Sequence, residues 1–191
     1  NKTRGTKLVS LNSNVKKPGL YEVEFGVSVR DIIFGLAGGM KDGLEFRAVQ
    51  IGGPLGGLLT EPLLDTSFDI DSLAEAKGTL GHAGMIVYSQ HDDMGELARD
   101  LMAFCAVESC GKCFPCRIGS VKATELLDGI LEGKGQQKDL DELNQLCETM
   151  KFGSLCAMGG EIPKPIENIL DHFPDALAGR VKSVSYTHLT L

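Results

Sequence analysis

Three cysteines lie at intervals of three residues in one short segment of this 191-residue chain. They are Cys110, Cys113 and Cys116, within Glu-Ser-Cys-Gly-Lys-Cys-Phe-Pro-Cys-Arg at residues 108–117. Such a loop can present three thiolates to the corners of one compact cluster, and [4Fe-4S] clusters are held by four cysteine thiolates. Cys156, within Ser-Leu-Cys-Ala-Met-Gly-Gly at residues 154–160, is the natural fourth ligand. The sequence therefore predicts one [4Fe-4S] cluster with these four cysteines as its iron ligands, a cofactor typical of electron transfer.

A structural zinc site is the main alternative for the four cysteines. Zinc sites with four thiolates usually draw them from two separate C-x2-C pairs, whereas here three come from one loop and Cys156 stands alone. Disulfides are less favoured than zinc, because no signal segment is evident and we expect a reducing, cytoplasmic compartment. Peripheral attachment to a membrane complex fits the same expectation. No stretch is long and apolar enough to predict a membrane span.

The other two cysteines follow helical apolar patterns. Cys105 continues a stripe with three- and four-residue spacing that starts at Met94, and Cys147 lies in a similar stripe from Leu140 to Met150. Such stripes are typical of the buried face of a helix. We therefore predict that Cys105 and Cys147 are core residues and not ligands.

Four helices are predicted in the second half of the chain, at about 93–106, 118–132, 138–151 and 163–173. Short connections favour an up-down four-helix bundle. In such a bundle, the connections after the first and third helices lie at the same end. These are the two connections in which the four predicted ligands are expected to lie.

The first 90 residues alternate short β-type runs with turns, and strands are predicted at 7–11, 20–25, 46–51 and 85–88. One helix is predicted to start at Ser28 and end at the glycine pair 38–39, burying Val29, Ile32, Ile33 and Leu36. A second, at 72–77, would be capped by Asp71. The fold class is therefore α+β, with a mixed sheet crossed by one helix in residues 1–90, helices in residues 91–180, and a disordered or non-native tail at 181–191.

Two further features limit the possible functions. The glycine-rich segment 52–57 lacks the Lys-Ser/Thr pair of a phosphate-binding loop and no helix is predicted after it, so a turn or packing loop is favoured over a ligand or domain contact. The formal net charge is −7 and there is no basic run, which argues against nucleic-acid binding.

Segments 108–120 and 153–160, with Val-Gln-Ile-Gly-Gly-Pro at 49–54 and Leu-Gly-His-Ala-Gly-Met-Ile-Val at 80–87, closely resemble the family of flavin-containing 51-kDa subunits of NADH dehydrogenase. The similarity is to the C-terminal half and runs from about Gly5 to Ala178. The family includes subunits of respiratory complex I, of NAD-linked hydrogenases and of NAD-dependent formate dehydrogenase. Segments 104–108 and 168–174 look most like the formate dehydrogenase β subunit.

This resemblance implies a small ubiquitin-like β-grasp domain of the soluble-ligand-binding type, followed by a helical bundle with one [4Fe-4S] cluster. It implies that the cluster passes electrons between FMN and further iron-sulfur centres. Cys110, Cys113, Cys116 and Cys156 match the family ligands. Phe114 departs from the Thr or Ser common at its position.

Family members also carry an N-terminal flavin domain for FMN and NAD(H), and the sequence predicts no site for either here. We therefore expect the chain to be a part of the enzyme subunit that is inactive alone. The expected partners are that flavin domain, a [2Fe-2S] ferredoxin-like subunit and a larger catalytic subunit such as a molybdenum-dependent formate dehydrogenase. Residues 183–191 have no family counterpart and resemble a translated adapter.

Two cations flank the central predicted ligands. Lys112 and Arg117 lie next to Cys113 and Cys116 in the sequence, and positive charge favours the more negative, reduced form of a cluster. They are therefore candidates for tuning the reduction potential, although solvated charges couple weakly.

Overall fold

The computed structural model describes residues 3–12 and 14–182. The described residues form two compact units, which divide between Asp92 and Asp93. The predicted tail at 181–191 lies outside the described residues except for Val181 and Lys182. None of the described helices is long and apolar enough to cross a membrane.

The first unit is built on a five-stranded mixed sheet. Its strands are β1 (Thr6–Leu11), β2 (Gly19–Glu24), β3 (Phe46–Ile51), β4 (Leu58–Leu59) and β5 (Gly84–Ser89), in the order β2-β1-β5-β3-β4. Strands β1 and β5 are parallel, and the other neighbouring pairs are antiparallel. The four predicted strands and the mixed sheet are confirmed. Strand β4 was missed because two residues are too few for an alternating pattern.

The helix predicted from Ser28 is a π-helical segment, Asp31–Leu36. The Ser28 hydroxyl accepts a hydrogen bond from the Asp31 N–H at 3.0 Å, as a cap residue does. Val29, Ile32 and Ile33 are buried as predicted, but Leu36 is 44% exposed. The prediction for Leu36 was wrong because i→i+5 bonding widens the turn and breaks the 3.6-residue period.

Helix α1 spans Ile70–Glu75, two residues earlier than predicted. Its cap is Asp69 and not Asp71, because the Asp69 carboxylate accepts the Ser72 N–H at 2.9 Å. Phe68, fully buried, stacks on Phe25 with ring centroids 6.1 Å apart. Phe68 belongs to the hydrophobic core of this unit, and Phe25 packs against that core.

The second unit is helical. Its helices are α2 (Met94–Glu108), α3 (Phe114–Leu131), α4 (Gln137–Gly153), α5 (Ala157–Glu161), α6 (Pro163–His172) and α7 (Asp175–Ala178). Helix α3 packs against α2 and α4, and α6 packs against α2 and α4. The four predicted helices are present, whereas α5 and α7 are too short to give an apolar period and were missed. Whether the units are a β-grasp and a four-helix bundle in the family sense stays a prediction.

Helix α2 starts at a strong cap. The Asp93 carboxylate accepts hydrogen bonds from the Gly95 and Glu96 N–H groups at 2.8 and 3.1 Å. It also pairs with the guanidinium of Arg180 beyond α7. The start of α2 is therefore tied to the end of the described helical unit.

Candidate iron-sulfur site

The first cysteine segment is the connection between α2 and α3, residues 109–113. The backbone leaves α2 in an extended conformation at Ser109 and turns at Gly111, whose φ of +73° suits glycine. Cys113 is extended again and occupies the N-cap position of α3. Cys110 is exposed and Cys113 half-buried.

Cys116 lies inside the first turn of α3, so the prediction that all four cysteines lie between helices was wrong for this one. The helix starts at Phe114, four residues earlier than predicted, because Pro115 suits a first helical turn. Helical geometry buries Cys116, which is 5% exposed.

The second cysteine segment, residues 154–156, lies against the first. The Cys113 thiol faces the backbone N–H of Leu155 and that of Cys116, and these hydrogen bonds lower the pKa of Cys113 below its usual value. The Ser154 hydroxyl contributes to the same lowering. The Ser154 Oγ atom is buried, and none of the described residues forms a hydrogen bond of normal distance and angle with it. Donors from both segments therefore favour a thiolate at Cys113.

Helix α5 follows Cys156 directly and completes this corner. Cys156 is exposed and extended at the N-cap of α5. A Cβ atom placed on Gly159 would lie 2.5 Å from Ser154 Oγ and 3.0 Å from Cys116 Cβ. The absence of a side chain at Gly159 is what lets α5 approach Cys116.

Cys105 and Cys147 are core residues, as predicted, and are 1% and 2% exposed. Burial raises the pKa of each thiol to about 12, with a smaller contribution from Cys116 at Cys105 and from Glu167 at Cys147. Both therefore stay protonated at neutral pH, which disfavours them as metal ligands.

The four predicted ligands are free thiols. In residues 3–12 and 14–182, no three His, Cys, Asp or Glu side chains converge as the ligands of a single metal ion do. The ligands of a [4Fe-4S] cluster need not converge on a single ion, because each corner of the cluster binds one thiolate. The lowered Cys113 pKa, the buried Ser154 hydroxyl and the close approach of α5 fit a group of that kind, and the ligand assignment stays our prediction.

Lys112 and Arg117 are both exposed. The Arg117 guanidinium donates a hydrogen bond to the Gly111 carbonyl oxygen at 3.1 Å, which holds its charge over the cysteine loop. Water screens both charges, so any influence on a cluster is moderate.

Large apolar side chains surround the cysteine segments. Phe114, Phe152 and Leu155 are 67%, 81% and 76% exposed, and we call them the apolar rim. A Cβ atom on Gly153 would lie 3.1 Å from the Pro115 ring, so the end of α4 meets the start of α3 here. Exposed large apolar side chains that lie close together are typical of a surface that another protein or domain covers.

The glycine-rich segment of the first unit is a turn, as favoured from the sequence. The Gly56 N–H donates to the Gly53 carbonyl oxygen at 2.8 Å, and strand β4 follows. A cavity of about 340 Å³ lies beside it, lined in part by Pro54, His82 and Ile86.

Residues 96–180 match the protein family described as the NADH-ubiquinone oxidoreductase-F iron-sulfur binding region. The chain is 42% identical over 179 residues to the NADP-reducing hydrogenase subunit HndC of Solidesulfovibrio fructosivorans, covering 94% of this chain and 36% of that protein. It is 37% identical over 190 residues to the NADH-quinone oxidoreductase F protein of Escherichia coli (strain K12), covering 98% of this chain and 43% of that protein.

A solved NAD+-reducing [NiFe]-hydrogenase in the air-oxidized state has a similar fold, with a TM-score of 0.83 and 27% identity over 95% of this chain and 31% of that chain. Residues 96–180 thus define a [4Fe-4S]-binding region. The chain is similar to the C-terminal region of NADH-quinone oxidoreductase F and of the diaphorase-type subunits of hydrogenases. It spans 36–43% of the length of the curated relatives named above.

Three residues at this site could not be singled out from the sequence. Ser109 and Ser154 were not singled out, although each lies within two residues of a predicted ligand. Gly159 was also missed, because nothing in the sequence shows which helix comes close to Cys116.

Proposed function

We propose that this chain relays single electrons within a subunit of an NADH-linked oxidoreductase, through one [4Fe-4S] cluster held by Cys110, Cys113, Cys116 and Cys156. The observation that carries the proposal is the close approach of α5 to the first cysteine segment, since a Cβ atom on Gly159 would lie 3.0 Å from Cys116 Cβ and α5 begins directly after Cys156. The matching iron-sulfur binding region contains both segments.

A bound [4Fe-4S] cluster supplies one-electron redox chemistry. The residues of the chain hold it and adjust its surroundings. The connection between α2 and α3 supplies two thiolates, the first turn of α3 a third, and the N-cap of α5 the fourth. Cys105 and the apolar core behind Cys116 keep water from the inner side.

The proposed electron donor is FMN on a flavin domain that also binds NAD(H), and the proposed acceptor is a further iron-sulfur centre, such as that of a [2Fe-2S] ferredoxin-like subunit. The apolar rim supports docking of such partners. The hydrogenase and quinone oxidoreductase relatives favour a hydrogenase or a quinone-reducing complex as the parent enzyme. A molybdenum-dependent formate dehydrogenase as the parent enzyme is supported only by the similarity of segments 104–108 and 168–174 to the formate dehydrogenase β subunit. We further propose a β-grasp domain, a four-helix bundle and a cytoplasmic location.

Anaerobic reconstitution with iron and sulfide tests the proposal. We expect a brown protein with about four irons per chain, and a reversible one-electron EPR signal on reduction. A colourless chain that takes up zinc in preference, with no redox-active signal, would instead indicate a structural zinc module.

Replacing Arg117 with Gln is expected to lower the reduction potential, by tens of millivolts at most for a screened charge. The guanidinium over the loop stabilises the extra electron of the reduced cluster, and glutamine removes that charge. EPR-monitored potentiometric titration measures the shift. Lys112→Gln provides the comparison, and we expect a smaller shift there because, within the described residues, it is Arg117 and not Lys112 that is held to the loop by a hydrogen bond.

The titration has a clear contrary outcome. Equal potentials in wild type, Arg117→Gln and a variant that carries both Lys112→Gln and Arg117→Gln, with iron content unchanged, would limit both cations to a role in solubility.

A further inference from the structure

Ser109 places a hydroxyl group against the sulfur of one proposed ligand. Its Oγ lies 3.2 Å from Cys116 Sγ, and the geometry by itself allows either atom to donate. The Ser109 oxygen also accepts a hydrogen bond from the Gly111 N–H at 3.3 Å. That contact occupies an acceptor position on the oxygen and leaves the hydroxyl hydrogen available.

Binding of Cys116 to a cluster iron would fix the direction of this hydrogen bond, because a ligating cysteine is a thiolate. A thiolate carries no proton, so it can only accept, and the Ser109 hydroxyl must be the donor. Cys116 is 5% exposed, so few waters can compete for its sulfur. A hydrogen bond to a charged acceptor is stronger than a neutral one, and more so away from water.

Hydrogen bonds to ligand sulfurs are one of the factors that set the potential of an iron-sulfur cluster. Reduction adds negative charge that is shared with the sulfurs. A donor therefore stabilises the reduced form more than the oxidised form, and the reduction potential rises.

We propose that Ser109 raises the reduction potential of the cluster by donating a hydrogen bond to the Cys116 sulfur. This inference rests on the proposed function and adds a positioning and tuning residue to it. Ser109 is not a ligand.

The chain offers a matched control on the same cysteine. The Ser120 hydroxyl also bonds to Cys116, but it donates to the backbone carbonyl oxygen at 2.7 Å and not to the sulfur. Ser120 is fully buried one turn further along α3. Alanine at this position removes an equivalent hydroxyl group from the same helix without touching the sulfur.

The test is an EPR-monitored potentiometric titration of the reconstituted 191-residue chain and three variants, with iron and sulfide measured for each. We expect Ser109→Ala to have a lower potential than wild type, by more than any difference between Ser120→Ala and wild type. Ser109→Thr keeps the hydroxyl group and should restore the wild-type potential. Iron content should be the same in all four proteins.

Three outcomes would overturn the inference. They are an unchanged potential in Ser109→Ala, an equal fall in Ser120→Ala, and loss of iron from Ser109→Ala alone, which would make Ser109 a residue that holds the cluster. Failure of the wild-type chain to bind iron would instead overturn the proposed function, and with it the inference.

Discussion

Replacing any one of the four proposed ligands with alanine is expected to abolish stable cluster binding. Each thiolate occupies one corner, so its loss leaves an iron without a protein ligand. Iron should fall from about four per chain to well below that, and the broad visible absorbance should be lost with it. Iron and sulfide analysis after anaerobic reconstitution measures the effect.

Cys105→Ala and Cys147→Ala are the matched controls. Both replace a buried thiol that is protonated at neutral pH, and each leaves only a small cavity, with a modest loss of stability. We expect full iron content in both. Iron loss from either control, with an unchanged circular dichroism spectrum, would contradict the assignment of four ligands and two core cysteines.

Gly159→Ala is expected to disrupt the same corner without altering a ligand. The new methyl group would come within 2.6 Å of Ser154 Cβ and 3.0 Å of Cys116 Cβ. These are atoms close to the backbone, which cannot move aside as the end of a flexible side chain can. Alanine in a helix gains up to about 1 kcal/mol over glycine, whereas overpacking costs roughly 1–3 kcal/mol. The clash therefore outweighs the gain, and α5 must move away together with Cys156.

Gly160→Ala separates the gain in helix propensity from the cost of the clash. Its Cβ atom would lie 3.5 Å from the Lys151 carbonyl oxygen, an ordinary contact, in the same short helix. We expect this variant to keep its iron and to be at least as stable as wild type in thermal unfolding, while Gly159→Ala loses iron. Equal iron content in the two variants would show that the approach of α5 to Cys116 does not matter for the site.

Local patterns predicted the parts of the site that depend on neighbours in sequence. The cysteine spacing indicated the loop, and helical periodicity separated Cys105 and Cys147 from the proposed ligands. Both inferences need only a few consecutive residues. The buried faces of the long helices α2, α3 and α4 could be predicted for the same reason.

Features that depend on distant contacts could not be predicted in this way. The burial of Cys116 depends on where α3 begins. The helix begins earlier in the chain than predicted, because Pro115 suits its first turn. The five-residue helix α5 has no period of its own, and its position depends on the missing side chain at Gly159. The exposure of Leu36 depends on i→i+5 bonding, which no apolar spacing indicated.

Cys110 and Cys156 are exposed, whereas Cys116 is buried. Two corners of a cluster bound here would therefore be open to dissolved oxygen in the chain on its own. A domain or partner protein seated on the apolar rim would close that route. The lifetime of the brown colour in air then becomes a measure of docking, since a partner that covers the rim should lengthen it and a partner that binds elsewhere should not.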